Sequence, residues 1–321
     1  MEESSESGAL VAPPKERAID CLLSLEPRIK EIAEIEIAYI DNIDSANMNP
    51  EHWEKMTDVI ERNYGKYDGF VITHGTNSMA YTASALSYIL GNLGKPVVLT
   101  GSQIPGGRIE TDARRNFVNA VRVATMNLAG VFLVFDEEII LGARASKVSE
   151  SKLNAFETIN WDMAGEIRIN IRLNDEVKKR HGHKPEIKKG FENNVAVITV
   201  VPGTPVKLLN DLLDNGVKGL VLSCYGPGDI GYDYIESIEK AAELKVPVVI
   251  TTQCLEGATL MHVNDVGQQA LNAGAIQAYD MSIESITTKL MWALKHFPYE
   301  KIERVMHANY VGEINKEGRI Y

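Results

Sequence analysis

The eight residues Thr73-His74-Gly75-Thr76-Asn77-Ser78-Met79-Ala80 constrain the fold more than any other stretch. They follow the apolar run Gly69-Phe70-Val71-Ile72 and lead into a helical pattern that continues to Leu90. Strand, glycine turn and helix start succeed one another with no spare residues. In an open α/β sheet this junction is where ligands sit, because the amides at the start of the helix converge on the carboxyl end of the strand. Thr76 therefore stands at a ligand-facing position.

The rest of the chain supplies the alternation such a sheet needs. Pro96–Thr100 is a short apolar run that empties into Gly101-Ser102-Gln103, as a buried parallel strand does. A helix is expected over Asp112–Met126 and a strand over Val131–Phe135. Ile139-Ile140-Leu141 follows too soon for a parallel crossover, so Phe132–Lys147 reads as a hairpin with Lys147 at its end. Upstream, the pattern predicts a polar loop over residues 1–18, a helix over Lys15–Leu25, a strand over Glu36–Ile40, a turn rich in capping residues over Asn42–Pro50 and a helix over Glu51–Tyr64. From Asn174 to Asn194 the chain is strongly charged and without apolar periodicity, as a linker would be. A second alternation follows: strands Val195–Val201, Gly219–Cys224 and Val246–Thr251, with helices Val206–Asp214, Tyr232–Leu244 and Thr287–His296. The expected architecture is α/β. A larger doubly wound domain with a mainly parallel sheet (1–180) is joined through 181–194 to a smaller α/β domain (195–321).

Composition narrows the function. The chain has 321 residues, 45% of them hydrophobic, enough for a large core. Its net charge of −11 disfavours binding to nucleic-acid phosphates or to an anionic membrane. No apolar run has the length of a membrane span. Cys21, Cys224 and Cys254 are odd in number and widely spaced, which points to a reducing compartment such as the cytoplasm rather than a disulfide framework.

Two motifs resemble sites and read better as something else. Gly226-Pro227-Gly228-Asp229-Ile230-Gly231 fits a dinucleotide fingerprint, but Thr251-Thr252-Gln253 stands where the ribose-binding acid belongs. His181-Gly182-His183 lies in the basic segment without nearby carboxylates or thiols, and reads as a solvated loop. His74, directly after a strand, reads as a hydrogen-bonded core residue. Thr76 with Lys147 is the remaining candidate. A threonine hydroxyl needs a base before it can attack a carbonyl, and a lysine of lowered pKa is such a base. The competing reading of Thr76 is a helix cap.

Thr73-His74-Gly75-Thr76 with Ser78-Met79-Ala80-Tyr81 resembles the second signature of bacterial and archaeal L-asparaginases, most closely the cytoplasmic type I branch. The resemblance runs in order through Val98–Pro105, Gly142–Lys147, Asn154-Ala155-Phe156, Thr251–Cys254 and Thr288-Lys289-Leu290, nearly the whole chain. It implies a homodimer or homotetramer that hydrolyses L-asparagine to L-aspartate and ammonia through a threonine acyl-enzyme, without metal or cofactor. L-glutamine is the other substrate in view. Thr76 and Lys147 match the family's second threonine and its lysine, and Ser45 matches the serine that binds the substrate carboxylate. Gly75, Asn77 and Ser102, which stand in the matched motifs, complete the substrate-binding set with Asp229.

Three departures bear on activity. The family's usual nucleophile, a threonine in Gly-Gly-Thr after the first strand, has no counterpart. Either the chain is truncated at its start or it is a form without that threonine, and truncation is favoured because losing a central strand strips hydrogen-bond partners from a sheet. Asn77 replaces an aspartate that contacts the substrate amino group, keeping an acceptor oxygen but losing its charge. Asp229 stands where related enzymes often carry asparagine, in a loop expected to reach a neighbouring subunit, and would restore that carboxylate. Two alternatives share the fold: the asparaginase-like subunit of the glutamyl-tRNA(Gln) amidotransferase, which carries an additional N-terminal domain, and a non-catalytic amino-acid binder.

Overall fold

The computed structural model describes residues 22–316, with Asp20 and the backbone pairing of Glu2–Glu3 with Leu10–Val11. Most of the expected helix Lys15–Leu25, the loop over 1–18 and Cys21 lie outside the described residues, although Leu22–Leu25 is helical. The chain divides into two compact units, Met1–Lys189 and Gly190–Tyr321.

The first unit is built on six strands: β1 (Phe70–Thr73), β2 (Pro96–Thr100), β3 (Gly130–Phe135), β4 (Glu138–Leu141), and, beyond the two-stranded ladder of β5 (Ala145–Lys147) with β6 (Phe156–Thr158), β7 (Gly165–Ile167) and β8 (Ile171–Leu173). Their order in the sheet is β8-β7-β4-β3-β2-β1. Pairings β1–β2 and β2–β3 are parallel, and the rest are antiparallel. All five residues of β2 are buried, which is why its sequence is an unbroken apolar run. Helix α3 (Ala113–Ala124) packs with Val98, Phe132 and Val134 on one face. Helix α2 (Met79–Ile89) lies on the other, where Ala83 and Ser87 close on Gly142 and Val131. Small residues along α2 allow that approach, and ten of its eleven positions are buried. Each large aliphatic side chain so buried contributes about 1.5–3 kcal/mol. Helix α1 (Pro50–Asn63) begins at the Asn49 cap and buries Trp53, Met56 and Ile60.

Strand β1 is different. Phe70, Val71 and Ile72 are only half-buried, because one edge pairs with β2 and the other, without a ladder partner among the described residues, faces a cavity of about 2480 Å³. The His74 amide donates to Thr100 O at 2.8 Å, so by alternation the amides of Phe70 and Ile72 also point to β2, and those of Val71 and Thr73 to the open edge.

Several expectations are corrected here. Glu36–Ile40 forms no strand: its isoleucines are half-buried and Glu36 exposed, but the segment has no ladder among the described residues and lines the far wall of the cavity. Apolar residues allow partial burial, whereas a strand also needs a hydrogen-bonding neighbour. The hairpin ends at Leu141, not Lys147; a 3-10 turn, Gly142–Arg144, follows, and Lys147 belongs to the separate β5–β6 ladder. The charged segment is strapped to the first unit as far as Lys189. Glu186–Ile187 pairs with Leu90–Gly91, the Arg180 guanidinium donates to the carbonyls of Asp68, Ala124 and Met126, and Lys189 bridges Asp58 and Glu61. Arg180 and Lys189 thus cap backbone carbonyls and pair with helix α1, while Lys178, Lys179, Lys184 and Lys188 remain exposed.

The second unit is a parallel sheet of four strands in the order β9 (Val195–Thr199), β10 (Gly219–Cys224), β11 (Val248–Thr252) and β12 (Ile276–Gln277). Helices α4 (Val206–Asp214), α5 (Ile235–Glu243), α6 (Asp265–Asn272), α7 (Ile283–His296) and α8 (Tyr299–Met306) accompany it. The α/β expectation for both units holds, with β7, β8, β12, α6 and α8 added. Fully buried Lys289 on α7 pairs with fully buried Glu313 and donates to Met306 O and Ala308 O, clipping the C-terminal segment in place.

The open edge of β1 has a measurable consequence. In hydrogen–deuterium exchange resolved to single amides, Val71 and Thr73 exchange at least about tenfold faster than Ile72 and the β2 amides. Equal protection of all four β1 amides would show that the open edge is paired.

Candidate active site

The junction after β1 is shaped by a neighbour distant in sequence. The 3-10 turn Ser45–Asn47 is capped by the Asp44 carboxylate, which accepts from Ala46 N at 2.8 Å. Ser45 is buried against Gly75 so closely that a Cβ on Gly75 would lie 2.7 Å from Ser45 Oγ and 2.9 Å from Ser45 Cβ. Ser45 Oγ accepts from the Asn77 amide at 3.2 Å, and Ser78 Oγ donates to Ser45 O at 2.5 Å. These contacts place Gly75, Thr76 and Asn77 at the cavity wall, ahead of the α2 N-terminus.

His74 fixes the other side of the turn. One ring nitrogen lies 2.7 Å from Gly75 O and the other 2.9 Å from Thr82 Oγ1, which accepts from Trp53 Nε1 at 3.0 Å. A carbonyl only accepts, so Nδ1 carries the proton and Nε2 receives one from Thr82. Burial holds the imidazole pKa below its ordinary value. His74 is thus a core residue of the expected kind.

Lys147, at the end of β5, reaches the same turn. Its Nζ donates to Thr76 Oγ1 at 2.9 Å and to Asn77 Oδ1 at 3.2 Å, contacts that no sequence spacing could reveal. Burial lowers the pKa of this amine, and the Glu150 carboxylate opposes that shift. Ser102 lines the same cavity from the loop after β2. That loop is held by Asp112, which sequence reading missed: its buried carboxylate accepts from the amides of Gln103 and Ile104 and from Asn116 Nδ2, each at 3.0 Å. Its position before α3 signals a helix cap, yet the carboxylate serves the loop behind it and makes no side-chain cap bond to the helix.

Asp229 belongs to the second unit, in a tight bend where Tyr225 and Asp229 form an isolated bridge. Its Oδ2 accepts from Asn264 Nδ2 at 2.7 Å, and its Oδ1 is buried without a partner among the described residues. Gly228 serves packing and a left-handed turn, with φ +100° and a place where a Cβ would meet Met261 Cγ at 2.9 Å, whereas Gly226 faces open space. His181 and His183 pack ring against ring at 5.1 Å, and the His181 amide donates to Gly94 O.

A hydroxyl hydrogen-bonded to a lysine amine of lowered pKa, at a strand end facing a cavity, is an arrangement in which a neighbouring base can activate a hydroxyl. Comparison with known proteins identifies the family. The family model Asparaginase, N-terminal, matches residues 1–179, and Glutaminase/Asparaginase C-terminal domain matches residues 194–306. The chain belongs to the asparaginase family. It is 39% identical to L-asparaginase of Thermococcus kodakarensis, over 89% of this chain and 88% of that one. It is 37% identical to a glutamyl-tRNA(Gln) amidotransferase chain of Pyrococcus abyssi, over 90% of this chain and 68% of the relative. The solved structure of the thermostable L-asparaginase from T. kodakarensis superposes with a TM-score of 0.86 at 35% identity, covering 98% of this chain and 95% of that one. L-asparaginase I of Vibrio cholerae gives 0.85 at 34% identity, with 92% of each chain covered.

The close approach at Gly75 yields a direct test. Gly75→Ala lowers unfolding stability by about 1–3 kcal/mol through overpacking, since the Ser45 Cβ has no rotation that clears it. In a Ser45→Gly background most of that loss disappears, as measured by urea denaturation. An undiminished loss there would place the strain elsewhere.

Proposed function

We propose that this chain is an amidohydrolase that converts L-asparagine to L-aspartate and ammonia, with Thr76 as nucleophile and Lys147 as general base. The observation that carries the reading is the 2.9 Å contact between Lys147 Nζ and Thr76 Oγ1. In the neutral amine the same contact runs in reverse: Nζ accepts the hydroxyl proton while Oγ1 attacks the side-chain amide carbon. The proton passes to the leaving nitrogen, ammonia departs, and an aspartyl ester remains on Thr76. Water, deprotonated by the same amine, then cleaves that ester and restores the hydroxyl.

Substrate binding follows from the groups around the dyad. The Ser45 hydroxyl proton is free to meet the substrate α-carboxylate, and the positive end of α2 favours an anion there. Gly75 and Ser102 shape the pocket wall. Asn77 has its Oδ1 engaged by Lys147 and so offers the substrate mainly its NH2, a poor partner for an ammonium. Asp229 supplies the missing carboxylate from a neighbouring copy in an assembly of two or four chains, working in the cytoplasm. Under this reading Asp229→Asn raises KM for L-asparagine and leaves kcat nearly unchanged, and failure to alter KM removes Asp229 from the set.

A second reading, an ammonia-releasing component of a tRNA-dependent amidotransferase, is supported by the relatives that bear the amidotransferase name. Co-purification with a tRNA-binding partner, and ammonia release that depends on it, would favour that reading over the free enzyme.

The pH profile tests the dyad. Only the neutral amine is a base, so kcat rises with pH and its midpoint lies below the ordinary lysine value of about 10.4. Asn77→Asp adds a carboxylate that stabilises the ammonium and moves the midpoint upward. Lys147→Met lowers kcat by at least about a hundredfold. A wild-type profile without this alkaline rise, or a Lys147→Met enzyme of near-normal rate, would contradict the mechanism.

A further inference from the structure

Gln103 carries interactions that neither the fold nor the substrate pocket requires. Its amide donates to one oxygen of Asp112, so its backbone is fixed by the same buried carboxylate that holds Ile104. Its side chain leaves this loop and spans to another segment. Nε2 donates to Glu150 O at 3.0 Å and to Lys152 O at 3.2 Å, and with that both hydrogens of the amide group are used.

The two acceptors belong to the turn that begins where β5 ends at Lys147. The amides of Val148 and Ser149 both donate to Ala155 O, and Ser149 Oγ accepts from the amides of Ser151 and Lys152. Residues 148–155 therefore form a closed arch with its own internal bonds. The Gln103 amide ties the crest of this arch to the loop after β2. Gln103, Glu150, Lys147 and Thr76 all line the same cavity.

We propose that Gln103 is a positioning residue, whose side-chain amide latches the arch after Lys147 and so keeps Nζ in register with Thr76. This rests on the Thr76–Lys147 reading of the site. Lys147 ends a strand of three residues, and such a short ladder fixes the backbone at Lys147 weakly unless the chain beyond it is also held. The charged group that acts on Lys147 from the elements packed around it is Glu150, on the arch itself; Thr76, Asn77 and Ser45 are uncharged. Releasing the arch lets Nζ swing out of its half-buried place beside Thr76 toward solvent and frees Glu150 to approach, and both changes stabilise the ammonium.

The test is the pH dependence of kcat in Gln103→Met, which keeps the length of the side chain and removes its donors. The expected result is a midpoint raised by about one pH unit, hence kcat about tenfold lower below the midpoint, with KM within about twofold of wild type and kcat recovering at alkaline pH. Alkaline recovery separates positioning from general damage, which lowers kcat at every pH. A profile superimposable on wild type, or a uniform loss, overturns the proposal. If Gln103→Met fails to fold, Ser149→Ala loosens the same arch from within and must shift the midpoint in the same direction, and no shift overturns the proposal equally. A wild-type enzyme with no alkaline rise overturns the underlying dyad and this proposal together, whereas a normal wild-type rise with an unmoved variant overturns the latch alone.

Discussion

One hydrogen bond, from Lys147 Nζ to Thr76 Oγ1, gathers the functional part of the first unit into a single purpose. Three separate pieces of chain deliver its ends. The turn after β1 presents Thr76 because Gly75 lets Ser45 press against it and because the ring of His74 grips the Gly75 carbonyl. The short β5–β6 ladder presents Lys147. The loop after β2, held by Asp112, reaches across to the segment beyond Lys147. Backbone amides and buried polar side chains therefore set the geometry, and the aliphatic core behind them keeps those groups from relaxing.

The electrostatics of the pocket turn on residue 77. A carboxylate there would pair with Lys147 and hold it protonated, whereas the amide accepts one hydrogen bond without adding charge. The lysine is left with burial pushing its pKa down and Glu150 pulling it up. Such an amine is poised as a base and poor as a structural cation. Under the proposed mechanism the same substitution removes a carboxylate from beside the dyad, and the reading therefore assigns recognition of the substrate ammonium to Asp229.

Much of this was legible in the sequence, and the failures have physical causes. Strand, glycine and helix start around Thr76 are local signals, each set by neighbours a few residues away, and they identify the ligand-facing turn directly. Lys147 was a candidate by residue type, but its meeting with Thr76 depends on how β3, β4 and β5 bring the chain back, which local pattern does not encode. Glu36–Ile40 reads as a strand from its apolar residues and forms none, because apolar content reports which side chains can be buried and says nothing of a hydrogen-bonding neighbour. The role of Arg180 within the charged run is not legible because composition is blind to backbone carbonyls, the partners its guanidinium finds. Asp112 and Gln103 escaped notice for a related reason: their partners are main-chain groups eight or more residues away.

The central claim is that Thr76 forms the covalent bond to the acyl group. Mixing enzyme with L-asparagine, quenching in acid during turnover and mapping the peptides by mass spectrometry tests this most directly. The account predicts one aspartyl residue esterified to the peptide that carries Thr76, absent in Thr76→Ala. Ammonia release accompanied by an aspartyl adduct on a different hydroxyl, or by undiminished turnover in Thr76→Ala, would contradict it.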